Sequence, residues 1–328
     1  MQQTKKVVYS ILSLAVFAVM FWASAPSRKV YTPPPTPKKI TTDLQPAVTP
    51  DARELTRITN DNLQEFGASI SPDGKKILYY SVDPGQVGVN QYHINLKTLG
   101  EQGTSPLLTA GCLFPSWMPD NKGFFFKYAV ATKPVIAKSK IENGGISYVS
   151  PNNNGEDDGY PTFLKAANKV LFGTSIGNSI QVATIDPNGL NFTILVDGRM
   201  PYPHPTDNSF VYEKKVGANW HIFTYDNNTG QQTQLTSGNY DNEFARISPD
   251  GKWIVFRREF NSNTAHIFLM NTGGGSVKQL TTGNTWNGGP EFGADGYIYF
   301  SSNAGNSDPY RVYDNFDIWR VKPNISEQ

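Results

Sequence analysis

One short phrase returns six times along this chain of 328 residues, and its period constrains the fold more than any other feature. It begins at Ile77 (ILYYS), Phe124 (FFFKY), Val170 (VLFGT), Phe210 (FVYEK), Ile254 (IVFRR) and Tyr297 (YIYFS), at spacings of 47, 46, 40, 44 and 43 residues. Each copy is aromatic and β-branched, the composition of a strand covered on both faces. A tight-turn sequence precedes four of them: SPDGK at 71–75, MPDNK at 118–122, SPDGK at 248–252 and GADG at 293–296. Proline presets φ in such a turn and glycine accepts the left-handed region. The third and fourth copies keep only a polar break, KAANK and PTDNS. Two more strand-like stretches follow, as in HIFTY (221–225) then TQLT (233–236), and HIFLM (266–270) then VKQLT (277–281). Four strands every ~44 residues make the blade of a β-propeller.

The sixth copy runs out. After DIWRV (317–321) only Lys322 to Gln328 remain, too few for a hairpin and a fourth strand. The missing strand stands at the other end, where ELTRIT (54–59) precedes the first copy and resembles the QLT strands. The sequence therefore predicts an all-β, six-bladed propeller over 53–328, closed by an N-terminal strand that completes the last blade.

The chain ahead of it reads differently. Lys5 and Lys6 are followed by an uncharged run from Val7 to Ala25 ending in Ala23-Ser24-Ala25, the pattern of a secretory signal. The run is as long as a membrane-spanning helix of about 20 residues needs. Pro26 also follows the would-be cleavage site, so residues 1–25 read as an uncleaved signal-anchor, with cleavage the alternative. Arg28, Lys29, Lys38 and Lys39 leave the charge bias across the span undecided, and the secretory-type start places the body outside. Residues 26–52 form a linker; seven prolines between 26 and 50 favour extended polyproline conformation, with a reach on the order of 75 Å.

Residues 51–328 hold 23 Lys/Arg against 27 Asp/Glu, so the body lacks an electrostatic footprint for nucleic acid. Cys112, the single cysteine, has no partner for an internal disulfide. Gly173-Thr-Ser-Ile-Gly177 matches the pattern of a serine-nucleophile elbow, but a strand (SIQVATI) rather than a helix follows it. His93, His204, His221 and His266 fall one per blade without paired ligand spacing; no metal, cofactor or catalytic group is expected from them. The acidic loop 152–159 (NNNGEDDG) offers oxygens to calcium but lacks the alternating spacing of a calcium loop, and reads as a solvated connection.

One pattern bears on binding. The residue just before a Pro or Ala as each inner strand begins is Phe114, Tyr160, Tyr202 and Phe244 in blades two to five. Gly67 and Gly289 take the place in blades one and six, with Phe66 and Trp286 nearby. The innermost strands surround the central channel, so these rings either pack the hub or rim a binding pocket, where aromatics give large contact area at low entropic cost.

The phrases GASISPDGKKILYYS, FARISPDGKWIVFRRE, QLTTGN and NFDIWRVKPN resemble the WD-like repeats of TolB-type propellers, across residues 53–324. The resemblance implies a propeller with a partner-binding habit, without the extra α/β domain that precedes the propeller in TolB. The combined expectation is a periplasmic scaffold anchored to the inner membrane that binds another envelope protein at the propeller face. Glycan binding, or lyase or lactonase chemistry in the channel, is the alternative.

Overall fold

The Ser-Pro-Asp-Gly turns show how the repeat builds itself. Ser71 Oγ donates to Asp73 Oδ1 (2.6 Å) and accepts from the backbone N–H of Lys76 (2.9 Å), while Gly74 closes the turn at φ +71°. Ser248, Asp250 and Gly251 repeat the arrangement, with Ser248 Oγ accepting from the N–H of Trp253 (2.9 Å). Each such turn hands the chain from an inner strand to the buried phrase that follows.

This computed structural model describes residues 43–61, 63–129, 133–150, 157–305 and 316–325. Among them lie six four-stranded antiparallel sheets and one two-stranded pairing. The innermost strands are Gln64–Ile70, Cys112–Trp117, Gly159–Leu164, Arg199–Pro203, Asp241–Ile247 and Asn287–Phe292. In blades one to five the remaining strands follow outward in sequence order. In blade six, strand Asp317–Pro323 pairs on its outer side with Ala52–Arg57, so the N-terminal strand closes the ring as the repeat count requires.

The core sits between blades, not inside them. Second strands alternate their side chains between two seams. Phe124 and Phe126 pack with Leu78 and Tyr80 of blade one, while Phe125 packs with Val170 and Phe172 of blade three. Ile70 and Ile77 meet Tyr299 and Ile318, which seals blade six against blade one. A fully buried Phe or Ile contributes about 1.5–3 kcal/mol, so the aromatic phrases stabilise the seams.

In four of the six blades a hydroxyl ties down the end of the fourth strand. Ser150, Thr236 and Thr281 accept from the backbone N–H of Ile136, Ile222 and Ile267 at 2.8–2.9 Å. Thr59 accepts from Ile318 at 2.8 Å in the same way, so Arg57-Ile58-Thr59 is the counterpart of the QLT triplets.

Residues 1–25, read as the signal-anchor, lie outside the described residues; among the described residues no helix is long and apolar enough to cross a membrane. The far end of the stretch read as linker is fastened down: Ala47–Val48 pairs with Thr281–Thr282 on blade five. The proline-rich reading missed this because two residues of pairing leave no periodicity. Ser175 of the elbow-like match lies in a strand, opposite Ile180, with Gly177 in the hairpin turn. Of the acidic loop, residues 152–156 lie outside the described residues. Asp157 pairs with Lys127, and buried Asp158 accepts from Thr174 Oγ1 (2.6 Å).

Candidate binding site in the central channel

Every inner strand slips its register at one place, between Phe66/Ser69, Leu113/Ser116, Gly159/Thr162, Arg199/Tyr202, Glu243/Arg246 and Gly288/Glu291. One residue of each slip adopts the left-handed region: Gly67, Phe114, Tyr160, Met200, Phe244 and Gly289, at φ between +50° and +62°. A left-handed conformation costs a residue with a side chain about 1–2 kcal/mol, and bulky residues seldom take it. Four blades accept that cost with a large side chain. Such bulges re-aim side chains, and here they turn Phe114, Tyr160 and Phe244 into the channel, while Met200 is buried away from its lining.

This ring differs from the sequence reading at one point. Phe114, Tyr160 and Phe244 occupy it, but the blade-four member is Met200, not Tyr202. The stretch MPYP holds two residue-proline pairs, and the aromatic one stands two places too late.

The three rings belong to a continuous aromatic circuit. Phe114 stacks on Tyr160 (4.2 Å between centroids) and meets Tyr80 edge-on (4.9 Å); Tyr80 stacks on Phe66 (5.5 Å), which touches Phe316 (4.8 Å). Tyr160 reaches Phe244 at 6.3 Å, and Phe316 meets Trp286 at 5.4 Å. The guanidinium of Arg257 closes the gap, 4.8 Å from Phe244 and 4.6 Å from Trp286. Gly67 leaves room for this packing, because a side chain there would meet the Tyr80 ring at 3.0 Å. Tyr80, Phe316 and Arg257 carried no separate sequence signal. They sit in repeat strands or beside one, and only closure of the ring brings them together.

Towards the leading ends of the inner strands, buried charges back this circuit. Arg199 bridges Glu213 (2.8 Å) and Glu243, and Arg257 also pairs with Glu243. Arg199 lies 3.7 Å over the Trp220 ring, and the strained Phe244 donates its N–H to Glu213 (2.5 Å). Burial raises the proton affinity of Glu213; it works against Glu243 too, but Arg257 and Arg199 hold that carboxyl below its ordinary range.

Two residues further along each strand, towards the turns, a second belt faces the channel: Ser69, Ser116, Thr162, Tyr202, Arg246 and Glu291. Tyr202 Oη donates to Glu291 Oε1 (2.7 Å), Arg246 Nε to Glu291 Oε2 (3.1 Å), and the guanidinium lies 4.9 Å from the Tyr202 ring. Burial pushes Glu291 up to about 7, against the pull of Arg246. Belt and circuit line a cavity of about 480 Å³, walled by all six blades and rimmed at the turns by Pro72, Pro119, Pro205 and Pro249. Phe114, Tyr160, Tyr202 and Phe244 are all half-buried in its wall.

Of the histidines, His221 and His266 are buried between blades, facing Asn242 and Asn287. Among the described residues no three His, Cys, Asp or Glu side chains have the spacing to hold a metal ion.

A six-bladed propeller with an aromatic-lined central channel defines the class of this protein. Its fold is that of the TolB propellers. TolB from Acinetobacter baumannii superposes with a TM-score of 0.61 at 16% identity, over 77% of this chain and 65% of that one. A TolB structure from Agrobacterium tumefaciens gives 0.60 at 14% identity, over 85% of this chain and 99% of that one. Oligogalacturonate lyase in complex with manganese gives 0.55 at 14% identity, over 86% and 98%, so an enzyme shares the architecture. An uncharacterized protein of Agrobacterium fabrum is 24% identical over 202 residues, 58% of this chain and 66% of that relative, just under two thirds of its length. No family model matches the chain.

Proposed function

We propose that this chain is a periplasmic binding propeller, held to the inner membrane by its N-terminal apolar segment, that engages another envelope protein through the channel mouth. One observation carries the reading: the aromatic side chains of Phe114, Tyr160 and Phe244 are held in left-handed backbone at equivalent bulges and line one cavity. Strain kept at repeated positions is a signature of pre-organised sites, and half-buried aromatics are efficient anchors. The fold it shares with TolB proteins supports a protein partner, and the basic start, apolar run and prolines of residues 1–50 support a tether that concentrates the propeller near membrane partners.

A second reading, a lyase acting on an acidic glycan, draws on Tyr202, Glu291 and Arg246 together in the cavity and on the lyase neighbour. Co-purification from gently solubilised membranes separates the two. A stoichiometric protein retained by the wild type and lost in Phe114→Ala/Phe244→Ala is expected, with about 1–2 kcal/mol of binding lost per anchor. The variant's melting curve is taken first. A collapse in melting temperature assigns these rings to hub packing alone, and bound glycan in place of protein overturns the reading.

A further inference from the structure

The belt beneath the aromatic circuit is divided. Blades one to three supply the hydroxyls of Ser69, Ser116 and Thr162, and blades four to six supply Tyr202, Arg246 and Glu291. Both oxygens of Glu291 are engaged, by Tyr202 and by Arg246 Nε. Arg246 Nη1 donates to the carbonyl of Ala245 (2.9 Å), and its Nη2 has no hydrogen-bond partner among the described residues. The other ionisable side chains on the cavity wall are Tyr80, Tyr92 and Tyr160, which are neutral phenols, and Lys165 and His204 towards the mouth. With Glu291 ionised the wall holds two fixed cations, Arg246 and Lys165, against one anion. It is otherwise built of proline, aromatic and aliphatic groups.

The geometry points to this cavity as a receptor for the free carboxyl terminus of a peptide that ends in an apolar residue. This rests on the protein-binding reading above and names what the partner presents. The terminal carboxylate takes the open Nη2 of Arg246 on one side and the hydroxyls of Ser69 and Ser116 on the other. A charge-assisted bond of this kind is about twice as strong as a neutral one. The last side chain rests against Phe114, Tyr160 and Phe244, and the preceding residues leave past the turn prolines. A cavity of about 480 Å³ suits such a tail.

Glu291 makes the capture sensitive to acidity. An arriving carboxylate is repelled by an ionised Glu291 and not by a protonated one. Burial brings this carboxyl up to about 7, and Arg246 and Tyr202 face it from blades five and four. Binding therefore takes up a proton and tightens as pH falls.

The test uses the full-length chain in detergent and a fluorescent tetrapeptide ending in phenylalanine, as the free acid and as the amide. The expected result is binding of the acid at least about tenfold tighter than the amide, given the strength of a charge-assisted bond. Its affinity should fall between pH 6 and pH 8 and lose that dependence in Glu291→Gln. Arg246→Gln should abolish the preference for the acid, with melting curves of both variants showing the ring intact. Equal binding of acid and amide, no binding of either, or displacement of the peptide by oligogalacturonate overturns the inference. Membrane co-purification insensitive to Arg246→Gln but lost in Phe114→Ala/Phe244→Ala would overturn it while leaving the protein-binding reading in place.

Discussion

The seams between blades four and five and between five and six differ in chemistry from the seam that closes the ring. In the first two, the residue before the third-strand isoleucine is a histidine, His221 or His266. It faces an asparagine two places before the left-handed residue, Asn242 at 3.5 Å and Asn287 at 3.4 Å. The same two places in the closing seam are Asp317 and Glu65, both fully buried. Two acids stand where those two seams have neutral pairs. Arg57, from the N-terminal strand, answers Asp317 at 2.5 Å. Glu65 lies near the Thr59 and Tyr79 hydroxyls without good hydrogen-bond geometry to either. Burial and the Asp61 and Asp317 charges raise its proton affinity well above the ordinary range. Seams inside the repeat are made by neighbouring sequence and need no switch. The closing seam joins residues some 250 positions apart, and Arg57 reaches Asp317 only when the N-terminal strand is in place.

The largest expected effect comes from removing that strand. Deleting residues 1–58 takes away Arg57 and bares the edge of strand Asp317–Pro323, which should aggregate. Deleting 1–42 should leave a monomer on size-exclusion chromatography, and deleting 1–50 a monomer of lower melting temperature. If all three behave alike, the closing seam is not special. Next in size, Arg57→Met keeps the packing on Trp319 and removes the cation facing Asp317. We expect a loss of about 2 kcal/mol in urea unfolding, less than for a fully buried pair because Arg57 is partly solvated. Arg258→Met, which removes a bond to Asn242 and the cation over the Phe268 ring but no ion pair, should cost about 1 kcal/mol. Equal costs would erase the contrast.

Acidity sharpens it further. The folded ring holds the Glu65 proton to a higher pH than the unfolded chain does, so between those two values the folded state binds more protons. Stability must then fall as pH rises from the ordinary carboxylate range through the raised value. Glu65→Gln should match the wild type at pH 4 and melt higher at pH 8, by about 1–3 kcal/mol, the cost of a buried polar group left unpaired. A flat difference between pH 4 and pH 8 in Glu65→Gln would show that the seam is not proton-linked. The smallest effect is a likeness: Thr59→Ala and Thr236→Ala should each lose about 1 kcal/mol, since the two hydroxyls cap equivalent N–H groups, those of Ile318 and Ile222. A large difference between them would place the closing strand outside the repeat.

The blades and their closure were legible because period and turn chemistry repeat, and the truncated sixth copy demanded a strand from the other end. Phe114, Tyr160 and Phe244 were legible as one ring because each precedes a Pro or Ala. Met200 escaped because register is not written in residue type. Arg246 and Glu291 escaped for another reason: each is an ordinary strand residue, and only the closed ring sets them beside Tyr202. Asp317 and Glu65 could have been found by aligning the copies on isoleucine and on the left-handed residue.

The short pairing of Ala47–Val48 with Thr281–Thr282 has a mechanical meaning. Asp43 is held by Asn284 and Gly305, Thr49 by Leu280 and Gln279, and Asp51 by Lys278, so residues 43–51 run as a staple across blades five and six. Tension arriving from the chain ahead of residue 43 meets this staple first. It must peel those bonds one after another before any force reaches Ala52–Arg57. The propeller thus carries a sacrificial clip in series with its own latch, and a pull that lifts the clip leaves the ring closed.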